Sequence, residues 1–317
     1  MRIAFVGKGG SGKTTLTALL ARHAVSKYEN VITIDADINQ HLGEALGMTA
    51  DEANSIPPLG NEMQRLKEYV RGSNSRIADT SHILKTTPPG RGSGFFRLDE
   101  TNPVLEHFTR TTREEIRVMA TGRFREEDLG VACYHSKTGA VELFLNHLLD
   151  RKEDLVLVDM TAGADAFASG LFTRFDVTFL VVEPTRKSVS VYRQYLDYAK
   201  GHGLTIKVIG NKVMAPDDEA FLRHEVGADL VACLPFSSYV RNAECGDIQP
   251  LENIEASVRS TIDEILKMIQ GVGRDWDRLY QSTVEFHRKN AESWANNQLG
   301  MDLTTQIDPN FQLKEIV

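Results

Sequence analysis

Short runs of apolar, mostly β-branched residues recur along the chain, and helix-length segments separate them. Both faces of most runs are apolar, which is typical of strands buried within a parallel sheet. Helical crossovers between parallel strands are right-handed. The predicted strands are residues 3–6, 31–35, 116–120, 155–159, 177–182, 206–211 and 230–234. The pattern predicts an α/β fold, with a mostly parallel central sheet of about seven strands and helices on both faces.

Two regions depart from this alternation. Residues 50–115 contain KTTPPGRGSGFF, whose prolines and glycines forbid a continuous helix. Such an insertion is typical of a lid or a partner-binding surface, and a solvated loop is the alternative. Residues 275–299 place apolar side chains on one broad helical stripe. We expect residues 1–272 to form one domain that includes the insertion, and residues 273–317 a helical extension packed on this body or on a partner.

The composition is that of a folded globular protein. Of the 317 residues, 41% are hydrophobic and 25% are charged, which argues against disorder. A net charge of −8 disfavours a broad DNA-binding face, although a local basic patch is compatible with it. No stretch approaches the roughly 20 apolar residues of a membrane helix, and the tail lacks the basic face of a membrane-surface helix. Neither nucleic acid nor a membrane is therefore an expected partner.

Cysteine usage and the first residues bear on location. Cys133, Cys233 and Cys245 make no disulfide framework, which is typical of a reducing compartment. The chain enters a strand pattern at once, without the charged, apolar and cleavable pattern of a signal peptide. We expect a cytoplasmic protein, in which Cys233 and Cys245 are small core residues or inert thiols.

The glycine-rich stretch GKGGSGKTT, residues 7–15, lies between the first predicted strand and a helical pattern. It fits G-x-x-x-x-G-K-[ST], in which glycines let successive N–H groups point at phosphate oxygens and the following helix adds its positive end. In this pattern Lys13 reaches the β- and γ-phosphates and the Thr14 hydroxyl binds Mg²⁺. The loop residues expected to bind the nucleotide are Gly9, Gly10, Ser11, Gly12, Lys13, Thr14 and Thr15.

Carboxylates end two further predicted strands. We expect Asp159 to hold the magnesium shell, and the main-chain N–H of Gly163 to meet the γ-phosphate, so residues 159–163 form a candidate switch segment. A second strand ends in two carboxylates, of which Asp37 is expected to orient the attacking water and Asp35 to lie nearer the metal. For one of these two, capping a helix N-terminus is the alternative.

The segment NKVM, residues 211–214, favours adenine over guanine. A guanine-binding motif of the N-K-x-D type needs an aspartate that accepts hydrogen bonds from the ring N–H and the amino group of guanine. Position 214, where this aspartate would stand, is methionine. Asn211 is able to pair with the adenine amino group and N7, with Lys212 beside it as a further nucleotide-binding residue. ATP is therefore the expected nucleotide.

The stretch KGGSGKT, residues 8–14, resembles the deviant Walker A motif K-G-G-x-G-K-[ST] of the MinD/ParA-type P-loop ATPases. That superfamily also contains the nitrogenase iron protein, the arsenite and tail-anchored-protein ATPases, and the CooC-type nickel-insertion ATPases of carbon monoxide dehydrogenase maturation. The resemblance covers about residues 1–270 in the right motif order. It implies magnesium-dependent hydrolysis of ATP to ADP and phosphate. It also implies a homodimer that closes with ATP, with Lys8 reaching across the interface to the partner's nucleotide.

Within that superfamily the chain looks most like the CooC type. Pro235 and Phe236 fall near the adenine pocket that the resemblance implies. Ile38 stands where the family pattern usually has proline. The segments that carry the likeness are IDADINQHL at 34–42, VMATG at 118–122, GVACYH at 130–135, VDMTAG at 158–163, VEPT at 182–185 and LPF at 234–236.

One departure from the family concerns a transition metal. The family pattern has Cys-x-Cys, and two such pairs across the dimer form one soft-metal site, whereas this chain has Cys133-Tyr134-His135. Two copies of Cys133 and His135 would give a Cys₂His₂ set, which suits Zn²⁺ and is compatible with Ni²⁺. The alternative is a buried cysteine beside an unrelated surface histidine.

Three functions are compatible with these residues. The first is a CooC-like ATPase that loads a metal into, or rearranges, a metalloenzyme partner. The second is a MinD/ParA-like positioning or partition ATPase without a metal. The third is an electron donor resembling the iron protein, which needs cysteines from two places per chain, so that Cys133 would have to be joined by Cys233 or Cys245.

Overall fold

The computed structural model describes residues 1–123, 134–167 and 169–316, with the backbone alone for residues 134–136, 164 and 165. Within these residues an eight-stranded sheet forms the centre of the molecule. The strands are β1 (Arg2–Gly7), β2 (Asn30–Ala36), β3 (Arg110–Thr111), β4 (Arg117–Ala120), β5 (Asp154–Met160), β6 (Val177–Val182), β7 (Ile206–Val213) and β8 (Leu230–Pro235).

The spatial order of the strands is β3-β4-β2-β5-β1-β6-β7-β8. All seven predicted strands are present, and each pairs in parallel with its neighbours among them. The additional strand, β3, is a two-residue edge strand that pairs antiparallel with β4. The mostly parallel sheet predicted from the sequence is therefore confirmed, with one short antiparallel edge added.

Helices cover both faces of the sheet. Ala4 and Val6 of β1 belong to one buried core and Ile3 and Phe5 to another, as alternation along a strand requires. The helices are α1 (Lys13–Ala24), α2 (Leu42–Ala45), α3 (Ala50–Asn54), α4 (Met63–Arg71), α5 (Pro103–Phe108), α6 (Tyr134–Asn146), α7 (Arg186–Ala199), α8 (Pro216–Val226), α9 (Ser238–Glu244), α10 (Ala256–Gln270), α11 (Trp276–Asn290) and α12 (Asn296–Leu299), with a π-helical turn at Ala291–Ala295. Helices α6 and α7 contribute to the first core, and α1 and α10 to the second. No helix in the described ranges is long and apolar enough to cross a bilayer.

The insertion at residues 50–115 is packed on the body. It forms α3, α4, α5 and β3, and the proline- and glycine-rich part lacks regular structure apart from short turns. The buried apolar residues that it adds to the first core are Leu59, Leu66, Val70, Ile77, Ile83, Phe96, Leu98, Leu105 and Phe108. Since these side chains are buried together with those of the sheet, the segment is part of the body rather than a solvated loop.

The C-terminal extension, residues 273–316, packs on the body and on the insertion. Tyr280 and Val284 of α11 share a small apolar cluster with Phe311, against which Phe95 of the insertion packs. The Asp308 carboxylate accepts a hydrogen bond from Arg91 of the insertion at 2.9 Å. Packing of the extension on its own body, one of the two alternatives, is thus observed, while the division of the chain into domains at residue 272 stays a prediction.

A buried ion cluster lies at the start of this extension. The Arg274 guanidinium contacts the Asp150 and Asp176 carboxylates at 2.5 and 2.7 Å, and both carboxylates are fully buried. The same guanidinium lies 4.6 Å from the Trp276 ring centre. Arg2 of β1 also donates to Asp150, and the two arginines hold the pKa of Asp150 far below its ordinary value despite its burial. The cluster therefore fixes α11 to β1 and β6.

We expect Arg274→Met to lower the free energy of unfolding by about 3–5 kcal/mol, because it removes the guanidinium that pairs with the buried Asp176 and one of the cations that pair with Asp150. Denaturant titration followed by circular dichroism measures the change. Lys314→Met, which removes the exposed pair with Asp277 in the same extension, serves as the control and is expected to stay close to wild type. Equal stability of the Arg274 variant and wild type would contradict this assignment.

Candidate active site

The glycine-rich loop forms a tight turn between β1 and α1. Gly10 and Gly12 have φ of 80° and 94°, a left-handed conformation that side chains disfavour. A Cβ on Gly12 would meet the Asn211 Nδ2 atom at 2.2 Å. Because α1 begins at Lys13, the free N–H groups at its first turn face the mouth of the loop. This arrangement forms a cradle for an anion.

The loop's polar side chains connect it to neighbouring elements. The Lys13 side chain is 6% exposed, and its Nζ lies 3.9 Å from Asp37 Oδ2. The Thr14 hydroxyl donates to Asp159 Oδ2, and the Thr15 hydroxyl donates to Glu244 Oε1 at 3.0 Å. Lys13, Thr14, Asp37 and Asp159 are therefore brought together, whereas Thr15 contacts the end of α9.

Two buried carboxylates lie side by side beneath the loop, since Asp35 and Asp159 are opposite each other in β2 and β5. Burial raises the pKa of both groups, and for Asp35 the neighbouring Asp159 raises it further. Lys13 and the Thr14 hydroxyl oppose the pKa rise of Asp159. Among the described residues, no group hydrogen-bonds to the buried Asp159 Oδ1. A cation such as Mg²⁺ fits this donor set, because the carboxylate retains one unpaired oxygen beside a hydroxyl.

Asp35 and Asp37 differ in their hydrogen bonds. The Asp35 carboxylate accepts from the N–H of Leu42, the first residue of α2, at 2.9 Å, and from the N–H of Asp37 at 3.2 Å. Asp35 thus accepts a hydrogen bond from the start of α2, although the N-cap position of that helix is His41, so Asp35 is not the N-cap residue. The Asp37 carboxylate accepts from the N–H of Asn39 at 3.0 Å and faces Lys13. A place for Asp35 in the magnesium shell, and the role of Asp37 in orienting water, stay predictions.

The residues expected at the base lie at the ends of β7 and β8. The Asn211 side-chain amide donates to the Ser11 carbonyl at 2.7 Å, so it braces the loop in this structure. Phe236 follows Pro235 and is 54% exposed, and Met214 is 79% exposed. The N–H of Phe236 donates to the Val213 carbonyl, which holds the two strand ends together. Adenine contacts with these residues stay predictions.

Sequence reasoning missed Glu183, which follows β6. Its carboxylate bonds Lys212 Nζ at 2.8 Å and lies 4.0 Å from Lys8 Nζ. Lys212, predicted to bind nucleotide, also donates to the Gly10 carbonyl at 2.7 Å. The only signal in the sequence for a role of Glu183 was its position. It follows β6, a strand that neighbours β1, and the carboxyl ends of neighbouring parallel strands lie at the same edge of the sheet.

The remaining predicted residues are less fully described. Gly163, with φ of 67°, begins a short 3₁₀ turn after β5 and lies beyond Asp159 as expected. Cys133 lies outside the described residues, and His135 lies in α6 with its side chain outside them. Within the part of the chain that the structure describes, no group of three His, Cys, Asp or Glu side chains could hold a metal ion.

Comparison with known proteins gives the family. The model of the CobQ/CobB/MinD/ParA nucleotide binding domain matches residues 3–275. The CooC carbon monoxide dehydrogenase accessory protein of Rhodospirillum rubrum is 29% identical over 257 residues, which span 79% of this chain and 91% of that protein. An uncharacterized ATP-binding protein of Methanocaldococcus jannaschii is 26% identical over 270 residues, 84% of this chain and 99% of that protein.

Solved structures share the fold. The septum site-determining protein MinD of Pyrococcus horikoshii, complexed with Mg-ADP, is 18% identical, with a TM-score of 0.57 over 85% of this chain and 96% of that one. A ParA family ATPase from Chlorobium tepidum is 12% identical, with a TM-score of 0.53 over 90% of this chain and 96% of that one. The chain therefore belongs to the CobQ/CobB/MinD/ParA nucleotide-binding family and is an ATPase of that family.

Proposed function

We propose that this ATPase is a dimeric switch of the CooC type, which loads a metal into a metalloenzyme partner or rearranges its metal centre. The similarity to the CooC accessory protein, which spans most of that protein's length, carries the proposal. The solved MinD and ParA structures share the fold at lower identity. A cytoplasmic location, inferred from the cysteine usage, belongs to the same proposal.

The chemistry at one site follows from the residues around the loop. The loop N–H groups and Lys13 bind the phosphates and stabilise the charge that develops on them during transfer. Asp37, beside Lys13, orients the attacking water. Thr14 and Asp159 would hold Mg²⁺, which when bound neutralises phosphate charge. Gly163, with its left-handed backbone, responds to the γ-phosphate through its N–H.

Lys8 serves the partner's nucleotide. Lys13 is buried beside Asp37 of its own site, whereas Lys8 lies at the rim of the loop with 34% of its side chain exposed. A second ammonium group at the rim is suited to phosphates approaching from another protomer. Two such lysines make closure depend on ATP in both sites, and hydrolysis relaxes the dimer.

A contact route connects the nucleotide site to Arg123 and to α6. Gln40 follows Asp37 by three residues, and its side chain donates to the Thr121 hydroxyl at 3.0 Å. The Gln40 carbonyl accepts from Arg123, whose own carbonyl accepts from Lys137 of α6 at 2.8 Å. Movement of the Asp37 segment would therefore reach Arg123 and Lys137, which precede and follow Cys133 in the sequence, and this supports coupling between ATP and a metal.

The metal is the cargo in this proposal. Cys133 and His135 from two protomers would supply the thiolates and imidazoles of one tetrahedral site, for Zn²⁺ or Ni²⁺. Because each chain supplies only two ligands, the site exists only in the dimer. ATP-driven closure and relaxation would then assemble the site and open it toward the metalloenzyme.

We expect Lys13→Ala to reduce ATP turnover by about 100-fold or more, because it removes a fixed positive charge from the transferring phosphate. Phosphate release under saturating ATP measures the rate. Lys27→Ala, at an exposed ion pair beyond the end of α1, is the control for a lost lysine. Turnover of the Lys13 variant near wild type would remove Lys13 from its assigned role.

We expect Lys8→Ala to retain much of its ATP binding and to lose ATP-dependent dimerisation. The physical reason is that Lys13 and the loop amides still bind the phosphates, while the contact across the interface is gone. Light scattering after size-exclusion chromatography with a non-hydrolysable ATP analogue reports the mass. Normal dimerisation of this variant would disprove the role of Lys8 at the interface.

We expect one transition-metal ion per two chains, lost in both Cys133→Ser and His135→Ala. Elemental analysis of protein equilibrated with Zn²⁺ or Ni²⁺ and the ATP analogue measures the ratio. Cys245→Ser, which removes an exposed thiol elsewhere, is the matched control. Unchanged metal content in both test variants would refute the metal site, and ATP-dependent binding to DNA or liposomes would then favour a positioning or partition ATPase.

A further inference from the structure

Glu183 sits between two lysines at the rim of the phosphate loop. Its Oε1 atom bonds Lys212 Nζ at 2.8 Å, and its Oε2 atom lies 4.0 Å from Lys8 Nζ. The Glu183 side chain is 18% exposed, so the carboxylate is mostly enclosed. One negative charge thus faces two positive ones, and each carboxylate oxygen serves a different lysine.

The main chain holds this carboxylate in place. The N–H of Glu183 donates to the Ser188 hydroxyl at 3.0 Å, and Ser188 is in the first turn of α7. Val181 of the preceding strand pairs with Gly7 of β1, immediately before Lys8. Glu183 is therefore positioned by the fold itself, independently of the lysines it meets.

The Lys212 side of the contact is the closer one, with Lys212 Nζ bonded to two acceptors. Lys212 has φ of 57°, an uncommon backbone conformation for a residue with a side chain, and its Nζ also donates to the Gly10 carbonyl. A shift of the loop at Gly10 consequently acts on Lys212 and, through it, on Glu183. The Lys8 side is looser, since 4.0 Å is the distance of a weak, partly solvated ion pair.

We propose that Glu183 is a positioning residue for Lys8: it is the counter-ion that retains Lys8 on its own protomer until a partner's nucleotide replaces it. The inference rests on the proposed function, in which Lys8 crosses the dimer interface. A weak pair suits this task, because a triphosphate carries more charge than one carboxylate and takes the ammonium group in exchange. Lys212 remains bound to Glu183 and keeps the carboxylate from following Lys8.

Glu183→Gln tests this inference. The amide keeps the size of the side chain and its contact with Lys212, but it removes the charge that retains Lys8. We expect dimerisation with the non-hydrolysable ATP analogue at about two- to fivefold lower protein concentration, as is typical for the loss of a weak competing ion pair. Analytical ultracentrifugation measures the dimer dissociation constant. Glu183→Ala, which also removes the Lys212 contact, is the second variant and is expected to shift dimerisation in the same direction.

Glu244→Gln is the matched control. Glu244 is a carboxylate beside the same loop, where it accepts from Thr15, and Lys8 is not its partner among the described contacts. A general gain of phosphate affinity from lost negative charge would appear equally in both Gln variants. Equal shifts in Glu183→Gln and Glu244→Gln, or no shift in Glu183→Gln, would overturn the inference.

The double variant Lys8→Ala/Glu183→Gln distinguishes the role of Lys8 at the interface from the role of Glu183 as its counter-ion. We expect it to dimerise as poorly as Lys8→Ala, because Lys8, the lysine that Glu183 would release, is absent. If Lys8→Ala alone dimerises like wild type, the proposed function fails. If Lys8→Ala loses dimerisation while the double variant regains it, the proposed function stands. Glu183 would then affect dimerisation independently of Lys8, and only the inference about Glu183 would be wrong.

Discussion

The register of neighbouring parallel strands determines where each group of the active site lies. Asp35 of β2 and Asp159 of β5 are opposite each other, and Phe5 of β1 is opposite Asp159 on the other side. Because parallel strands end at the same edge of the sheet, the loop after β1 emerges directly above both carboxylates. A slip of one residue would turn Asp159 to the opposite face of the sheet. Hydrogen bonding in the ladder thus sets where the two carboxylates lie relative to the glycine-rich loop.

The site tolerates buried negative charge because each carboxylate is partly compensated. Asp35 is satisfied by two main-chain N–H groups, whereas Asp159 has the Thr14 hydroxyl on one oxygen and Lys13 nearby. The compensation is unequal. Asp35 accepts from the first residue of α2, while the Oδ1 atom of Asp159 has no hydrogen-bond partner among the described residues. Two adjacent acids in neighbouring strands are therefore compensated by different groups: main-chain N–H groups for Asp35 and side chains for Asp159.

Sequence periodicity was sufficient for the sheet and for the phosphate loop, because buried parallel strands and a glycine-rich turn have strong local patterns. It missed β3, since two residues have no periodicity to detect. It also missed the packing of the insertion, whose buried residues such as Phe96 are separated by prolines and glycines. The Glu183 contact joins elements far apart in the chain, so only the fold reveals it. The hydrogen bond that Asp35 accepts from Leu42 likewise depends on where the fold places α2.

The C-terminal extension changes which surfaces are accessible. Helix α11 buries Thr283 against Asn146 of α6 and Ser282 against Arg174, and residues beyond it contact the insertion. The family model ends at residue 275, so this covering lies outside the part of the chain it matches. Any protein that docks on that flank would have to displace a helix anchored by Arg274. The extension therefore covers this flank of the body and separates the buried Asn146 and Arg174 side chains from any protein that approaches there.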